Sequence, residues 1–324
     1  MLNTKLILVE GIPGTGKSTM AQFIAIQLEK NGKKVKWYHE CQDDHFFWNE
    51  TDSCFENNEY FFRDQIKIDT FMSLNLKLWE KLVYQALSDD VVYIFDGYLF
   101  AQLANTLYRS DMPTDKIVEY MQQVEKIITK LNPLLVFYTV NNPEFHTIRT
   151  WNDRAQWAKD LVIKNSENVP FVKRSIFKGE DAIGYEQNLI QEANTEIFDS
   201  LQINKIRLDI SDKDYKNAHK KILEKLSLDY KEYRYSENNL EQFCGLYRYN
   251  SDDIFIKILS GKLVCDWGQN NMALIPIGEN LLNLRSYPVY LKFLSKENGF
   301  FKEINTYGEP VFRRIGCKFR REEG

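Results

Sequence analysis

Residues 11–18 read Gly11-Ile-Pro-Gly-Thr-Gly16-Lys17-Ser18, and no other stretch of the 324-residue chain constrains the fold so tightly. The run satisfies G-x-x-x-x-G-K-S/T. It stands between an apolar run, Leu6–Glu10, and a helical stripe of Met20, Phe23, Ile24 and Leu28 that Asn31-Gly32 stops. With strand, loop and helix in that register, the backbone curls so that several N–H groups point inward at a phosphate. Gly14 and Gly16 leave no side chain in the way. The helix N-terminus adds a partial positive charge. On this reading Gly11, Ile12, Pro13, Gly14, Thr15, Gly16, Lys17, Ser18 and Thr19 hold a nucleoside triphosphate, expected to be ATP. Lys17 reaches its β- and γ-phosphates and the Ser18 hydroxyl ligates Mg²⁺.

Four further apolar runs follow: Lys34–His39, Val91–Phe95, Leu134–Val140 and Ile203–Ile210. Runs without polar alternation suit strands buried on both faces, hence a parallel sheet. Helical patterns separate them. Ser211-Asp-Lys-Asp214 reads as a capping box ahead of Tyr215, Ala218, Ile222 and Leu226. Five strands with intervening helices predict a doubly wound α/β domain of the P-loop NTPase class over residues 1–228.

Residues 229–241 are polar and read as a linker. Beyond them the helical period vanishes. Strand-like stretches recur at Gly245–Tyr249, Ile254–Leu259, Lys262–Trp267, Met272–Ile277, Leu281–Leu284, Val289–Leu294, Phe300–Ile304 and Val311–Ile315, with Gly, Asn and Ser turns between them. That rhythm predicts an all-β antiparallel barrel or sandwich over residues 242–324.

Composition narrows the classes of function. The chain carries 42 Lys and Arg against 46 Asp and Glu, a net charge of −4, so no basic excess suggests nucleic acid or an anionic membrane as partner. The small basic excess of residues 242–324 does not change this. The five cysteines, at 41, 54, 244, 265 and 317, lack metal-binding spacing and read as reduced thiols. The N-terminal apolar run of four residues, ended by Glu10, is too short for a signal-peptide core, and no run approaches the length of a spanning helix, which predicts a soluble cytoplasmic protein.

Several residues carry candidate chemistry. Asp96 ends the run Val91–Phe95 and would stand beside the phosphate loop as a magnesium ligand. Glu40 closes the second strand, where a carboxylate takes a proton from an acceptor hydroxyl or holds the acceptor in line. Asn141-Asn-Pro-Glu144 reads as a helix start. Arg149 and Arg154 follow, with Lys159 and Lys164 at the same step of five. Five residues turn about 140° around a helix, so these four cannot share one face unless the segment bends. Two arginines brought onto a triphosphate would stabilise the transferring phosphoryl group. Residues 165–182 look loop-like and suit a lid. In the aromatic region Glu56–Ser88, Phe61, Phe62, Phe71, Trp79 and Tyr84 read as core. Arg63, Gln65 and, after Asp96, Tyr98 are candidates to contact the acceptor.

These pieces together resemble P-loop kinases of the thymidylate kinase and deoxynucleoside kinase type over residues 1–228. The likeness rests on the Gly11–Ser18 loop, a Glu closing the second strand and an Asp closing the third. It extends to a Pro-Leu-Leu-Val-Phe-Tyr strand followed by Asn-Pro-Glu and arginines. It implies that Glu40 is the catalytic base or acceptor-positioning acid, that Asp96 serves substrate and metal, and that Arg149 and Arg154 contact phosphoryl groups. A homodimer is also in keeping with it. Such kinases usually carry an arginine directly after the third-strand acid, where this chain has Gly97. Residues 242–324 resemble the small antiparallel β domain appended to penicillin-binding-protein-like serine hydrolases, through Gly245-Leu-Tyr247, Lys262-Leu-Val264, Leu274-Ile-Pro-Ile277 and Gly316-Cys-Lys-Phe-Arg320. No hydrolase Ser-x-x-Lys motif accompanies them in the expected setting.

The expected function is transfer of the γ-phosphoryl group of Mg-ATP to a hydroxyl or phosphate on a small molecule. The alternative is a nucleotide-dependent switch with little turnover.

Overall fold

The five apolar runs become five parallel strands: β1 (Leu6–Gly11), β2 (Lys34–Tyr38), β3 (Val91–Asp96), β4 (Leu134–Thr139) and β5 (Asn204–Asp209). They lie in the order β2-β3-β1-β4-β5. The structure, a computed structural model, describes residues 3–55, 60–232, 240–267, 271–278, 280–308 and 317–322. The order sets β1 at the centre, between β3 and β4. The loop after β1 therefore opens at the switch point, where open α/β sheets bind ligands.

Alternation along the central strands sends side chains to both faces. Leu6, Leu8, Tyr93, Phe95, Leu135 and Phe137 pack toward α2 (Gln65–Ser88) and α3 (Thr114–Ile128). Of the helices still to be named, α4 is Pro143–Asn152, α5 Gln156–Asn168, α6 Glu180–Ser200 and α7 Tyr215–Leu226. Ile7, Val9, Ile94, Val136 and Tyr138 pack on the opposite face with α7 and α1 (Lys17–Lys30). The expectation of burial on both faces holds along β1, β3 and β4. It fails for β5 and the start of β2, which are edge strands with one flank in solvent.

Three local expectations need correction. Tyr84 is 80% exposed: it lies on the solvent side of α2, whereas Phe61, Phe62, Phe71 and Trp79 are buried. The cap of α7 is Asp214, whose carboxylate accepts the Asn217 N–H at 3.0 Å; Ser211 instead donates its hydroxyl to Asp209. The stretch 165–182 is largely helical. α5 runs to Asn168, a turn follows at Pro170–Lys173, and α6 begins at Glu180. Val169, Val172 and Ala182 bury against Phe61, which holds the segment in place.

The second half is a closed eight-stranded antiparallel barrel. Its strands are β6 (Gly245–Tyr249), β7 (Asp252–Leu259), β8 (Lys262–Asp266), β9 (Met272–Gly278), β10 (Leu281–Leu284), β11 (Val289–Glu297), β12 (Phe300–Gly308) and β13 (Lys318–Arg321). Alternate residues such as Ile254 and Ile256, Leu263 and Cys265, and Leu291 and Phe293 fill the interior. Closure leaves no unpaired edge. The strand expected at Val311–Ile315 lies outside the described residues, and the closing strand is Lys318–Arg321.

Of the stretch expected as linker, residues 233–239 lie outside the described residues. Before them the chain is tied to α1. The buried Gln27 accepts the Lys231 N–H at 2.8 Å and donates to the Lys231 carbonyl at 2.9 Å. After them Leu240–Phe243 forms a single turn that packs into the barrel. Among the described residues no helix is long and apolar enough to cross a membrane.

Candidate active site

Gly16 is the N-cap of α1, with φ +91° and no capping side chain. The N–H groups of the first turn are therefore left for a ligand. The curl before it is held locally: Thr15 donates its hydroxyl to the Ile12 carbonyl at 2.8 Å and its N–H to the same oxygen at 3.4 Å. The Lys17 ammonium folds back over the loop, 3.5 Å from that oxygen. A Cβ at Gly16 would stand 3.0 Å from the Tyr215 ring, so α7 closes one side of the loop.

Three carboxylates gather around Lys17. Glu10 is fully buried. It accepts the N–H of Leu99 at 2.7 Å and of Ala101 at 3.2 Å, capping an irregular helical turn at Leu99–Ala104. Burial lifts its pKa to about 7, against the pull of those amides and of Lys17. Asp96 is also fully buried and neither oxygen closes a hydrogen bond. Burial, then Glu40, push its pKa up to about 8, while Lys17 and the nearby Ser18 hydroxyl draw it down.

Glu40 lies two residues past the end of β2, in a turn and not on the strand itself. The turn is well fixed. His39 accepts the Cys41 N–H at its Nδ1 at 3.0 Å, Gln42 donates its N–H to the His39 carbonyl at 3.0 Å, and Trp48 Nε1 donates to the Glu40 carbonyl at 3.1 Å. A Cβ at Gly97 would stand 3.0 Å from Glu40 Oε2 and 3.2 Å from Lys17 Cε. Gly97 also has φ +76°, a left-handed conformation that favours glycine. The space beside Gly97 is thus filled by Glu40 and Lys17. Cys41 lies among the same groups: burial first, then Glu40 and Asp96, push its thiol up to about 12, with Arg154 and Lys17 opposing.

A cleft of about 1410 Å³ joins the Gly11–Ser18 loop to a second, aromatic half. Gly11, Lys17, Ser18, Thr19, Glu40 and Arg154 line it. Arg154 stacks on Trp151, 4.3 Å from the ring centre. It reaches the cleft because α4 ends at Asn152 and α5 starts at Gln156, which breaks the five-residue progression. Arg149 does not line the cleft; its charge acts on His146 and Tyr215. Lys159 is engaged by Glu180 and Asn152.

The acceptor candidates fare differently. Tyr98 is buried among aromatic rings and donates its hydroxyl to Asn75 at 2.6 Å, so it belongs to the core. Gln65 sits in the first turn of α2 and donates to Asp69, while Arg63 lies against the Phe61 ring. Neither lines the cleft. The second half is built instead from Trp48, Tyr60, Phe61, Gln102, Asn105 and Arg109, with Arg109 donating to Glu186 at 2.6 Å. Sequence reasoning missed these residues, because no motif joins positions 48, 102, 109 and 186. Glu10 did leave a signal: a carboxylate directly after four apolar strand residues has to be buried.

Magnesium fits the donors present. Asp96 supplies two buried oxygens without partners, and Ser18 lies beside it. Among the described residues no group of three His, Cys, Asp or Glu could hold a metal by itself. Mg²⁺ at phosphate-binding sites takes one or two carboxylates and completes its shell with phosphate oxygens and water.

No family model matches the chain, and no curated protein matches it. Among solved structures, a thymidylate kinase from Candida albicans is similar, at 18% identity with a TM-score of 0.38. The likeness covers 70% of this chain and 96% of that one.

Proposed function

We propose that the chain is a P-loop phosphotransferase that moves the γ-phosphoryl group of Mg-ATP to a hydroxyl on a small molecule. The observation that carries this reading is the meeting of Lys17 and Glu40 at Gly97, where the Gly11–Ser18 loop joins an aromatic second half-cleft, with the buried Asp96 directly behind the lining and under the charge of both. The uncapped turn of α1 and Lys17 would hold the triphosphate. Asp96 and Ser18 would hold Mg²⁺, which when bound neutralises charge on the β- and γ-oxygens. Glu40 would orient the acceptor hydroxyl and take its proton. Arg154 would offset charge on the equatorial oxygens.

Charge in the cleft favours a hydroxyl acceptor over a phosphate. Among the described lining residues the cations are Lys17, Arg109 and Arg154, and Arg109 is committed to Glu186. Glu40, Asp43, Asp52 and Asp153 oppose them. Gripping an acceptor phosphate calls for a bidentate guanidinium, and position 97 supplies none. The Trp48, Tyr60 and Phe61 rings suit an acceptor with an apolar or aromatic face.

The test is ATP consumption over a panel of nucleosides, sugars and aminoglycosides, each beside its phosphorylated form. Turnover should rise sharply with one unphosphorylated compound. If none exceeds the blank while ATP still binds, the second reading, a nucleotide switch, takes its place. That reading draws on the contact between the barrel and Thr19.

A further inference from the structure

The turn between β10 and β11 of the barrel lies on the phosphate loop. Ser286 Oγ is 2.9 Å from Thr19 Oγ1, directly after the Lys17-Ser18 pair. The buried Gln22 of α1 accepts the Ser286 N–H at 2.8 Å and donates to the Leu284 carbonyl at 2.9 Å and to Asn283. The Tyr287 ring stacks on His39, with centroids 5.1 Å apart and planes 26° apart. Asn271, Met272, Ser286 and Tyr287 also line the cleft.

His39 makes the stacking consequential. Its Nδ1 accepts the Cys41 N–H, so in the neutral ring Nε2 carries the hydrogen. That nitrogen faces Asp96 Oδ2 at 3.9 Å. Trp37 flanks the ring at 6.2 Å and Tyr287 covers it from the barrel. The imidazole is thereby held with Nε2 3.9 Å from the carboxylate that would hold the metal, beyond hydrogen-bond reach, so that it bears on Asp96 through packing and its ring dipole.

We propose that the barrel is part of the phosphoryl-transfer site, and that Tyr287 is a positioning residue that orients Asp96 for Mg²⁺ through the stacked ring of His39. This rests on the magnesium role given to Asp96 above and assigns the barrel a part in it. Groups that orient metal ligands from behind change metal affinity by about 10–100-fold when removed. Tyr287 acts one contact further back, so its loss should cost about tenfold, at the lower end of that range.

The experiment measures ATP binding by calorimetry on the full chain, once with Mg²⁺ and once with chelator, and takes the ratio of the two affinities. Tyr287→Ala should lower that ratio about tenfold while leaving the chelator affinity unchanged, and Tyr287→Phe, which keeps the stack, should restore it. Tyr287→Leu keeps an apolar seat and carries the test if the alanine variant does not fold. An unchanged ratio in a folded variant, or an equal fall in both affinities, overturns the positioning role. Failure of the unmodified chain to bind ATP overturns this proposal together with the phosphotransferase reading.

Discussion

Glu40 Oε2 occupies the space that a side chain at Gly97 would need, 3.0 Å from where its Cβ would stand. Gly97→Ala should therefore act twice. A left-handed alanine costs about 1–2 kcal/mol, and its methyl group would push against Glu40 and Lys17 Cε. We expect a lower melting temperature and a loss of turnover larger than any loss of ATP affinity. Thermal melts and steady-state kinetics on one preparation check both. Wild-type turnover in a folded Gly97→Ala protein would separate Glu40 from the chemistry.

Lys17 and Glu40 should separate binding from transfer. Lys17→Ala removes the ammonium over the loop and should weaken ATP binding outright. Glu40→Gln keeps shape and hydrogen bonding but not basicity. It should leave ATP affinity near wild type and lower turnover by about 10²–10⁴-fold. Calorimetry and turnover, measured with the acceptor the panel reveals, read the two effects.

The two arginines expected from sequence should differ. Arg154 faces the cleft and Arg149 does not. Arg154→Ala should reduce turnover by roughly 10²–10³-fold, the scale for removing a donor to developing charge. Arg149→Ala should have a much smaller effect on the same step. Single-turnover rates of the two variants provide the comparison, and equal losses would contradict the placement.

His45 gives a pH prediction. It is fully buried among Tyr38, Phe47, Trp48, Phe95 and Tyr98, and its Nδ1 accepts the Phe47 N–H at 3.3 Å. Burial, then the charge of His39, hold its pKa at about 3, below the ordinary 6.5. The folded chain thus binds this proton less readily than the unfolded chain. The stability it allows is full above pH 6.5 and falls as pH drops from there toward 3. His39, His146 and His219 are also lowered, chiefly by burial, and add in the same direction. Glu10 and Asp96, whose pKa values burial raises, act in the opposite direction over the same interval, so the His45 contribution is read as a difference. Denaturant melts should show His45→Phe gaining stability relative to the unmodified chain between pH 7 and pH 5.

Much of the sheet was legible because its signals are local. The apolar runs Leu6–Glu10, Val91–Phe95 and Leu134–Val140 each declare a strand within a few adjacent residues, and all three lie inside the sheet. Seven of the barrel strands were readable for the same reason, since turn residues recur between short apolar stretches, whereas Lys318–Arg321 was not among the strands expected. The aromatic half of the cleft was not readable. Trp48, Arg109 and Glu186 come together only when α6 packs across the turn after Leu99, a contact no short pattern encodes. Tyr98 misled because adjacency to Asp96 in sequence was read as adjacency to substrate. The irregular turn at Leu99–Ala104 begins just after it, and its ring packs into the core.

Gln22 has its amide spent on Asn283, Leu284 and Ser286, all of which the barrel supplies. A protein cut off after residue 232 would leave that amide and the flank of His39 bare. The sheet half is therefore not a portable cassette, and grafting it onto another partner would require a replacement for the strand turn it leans on.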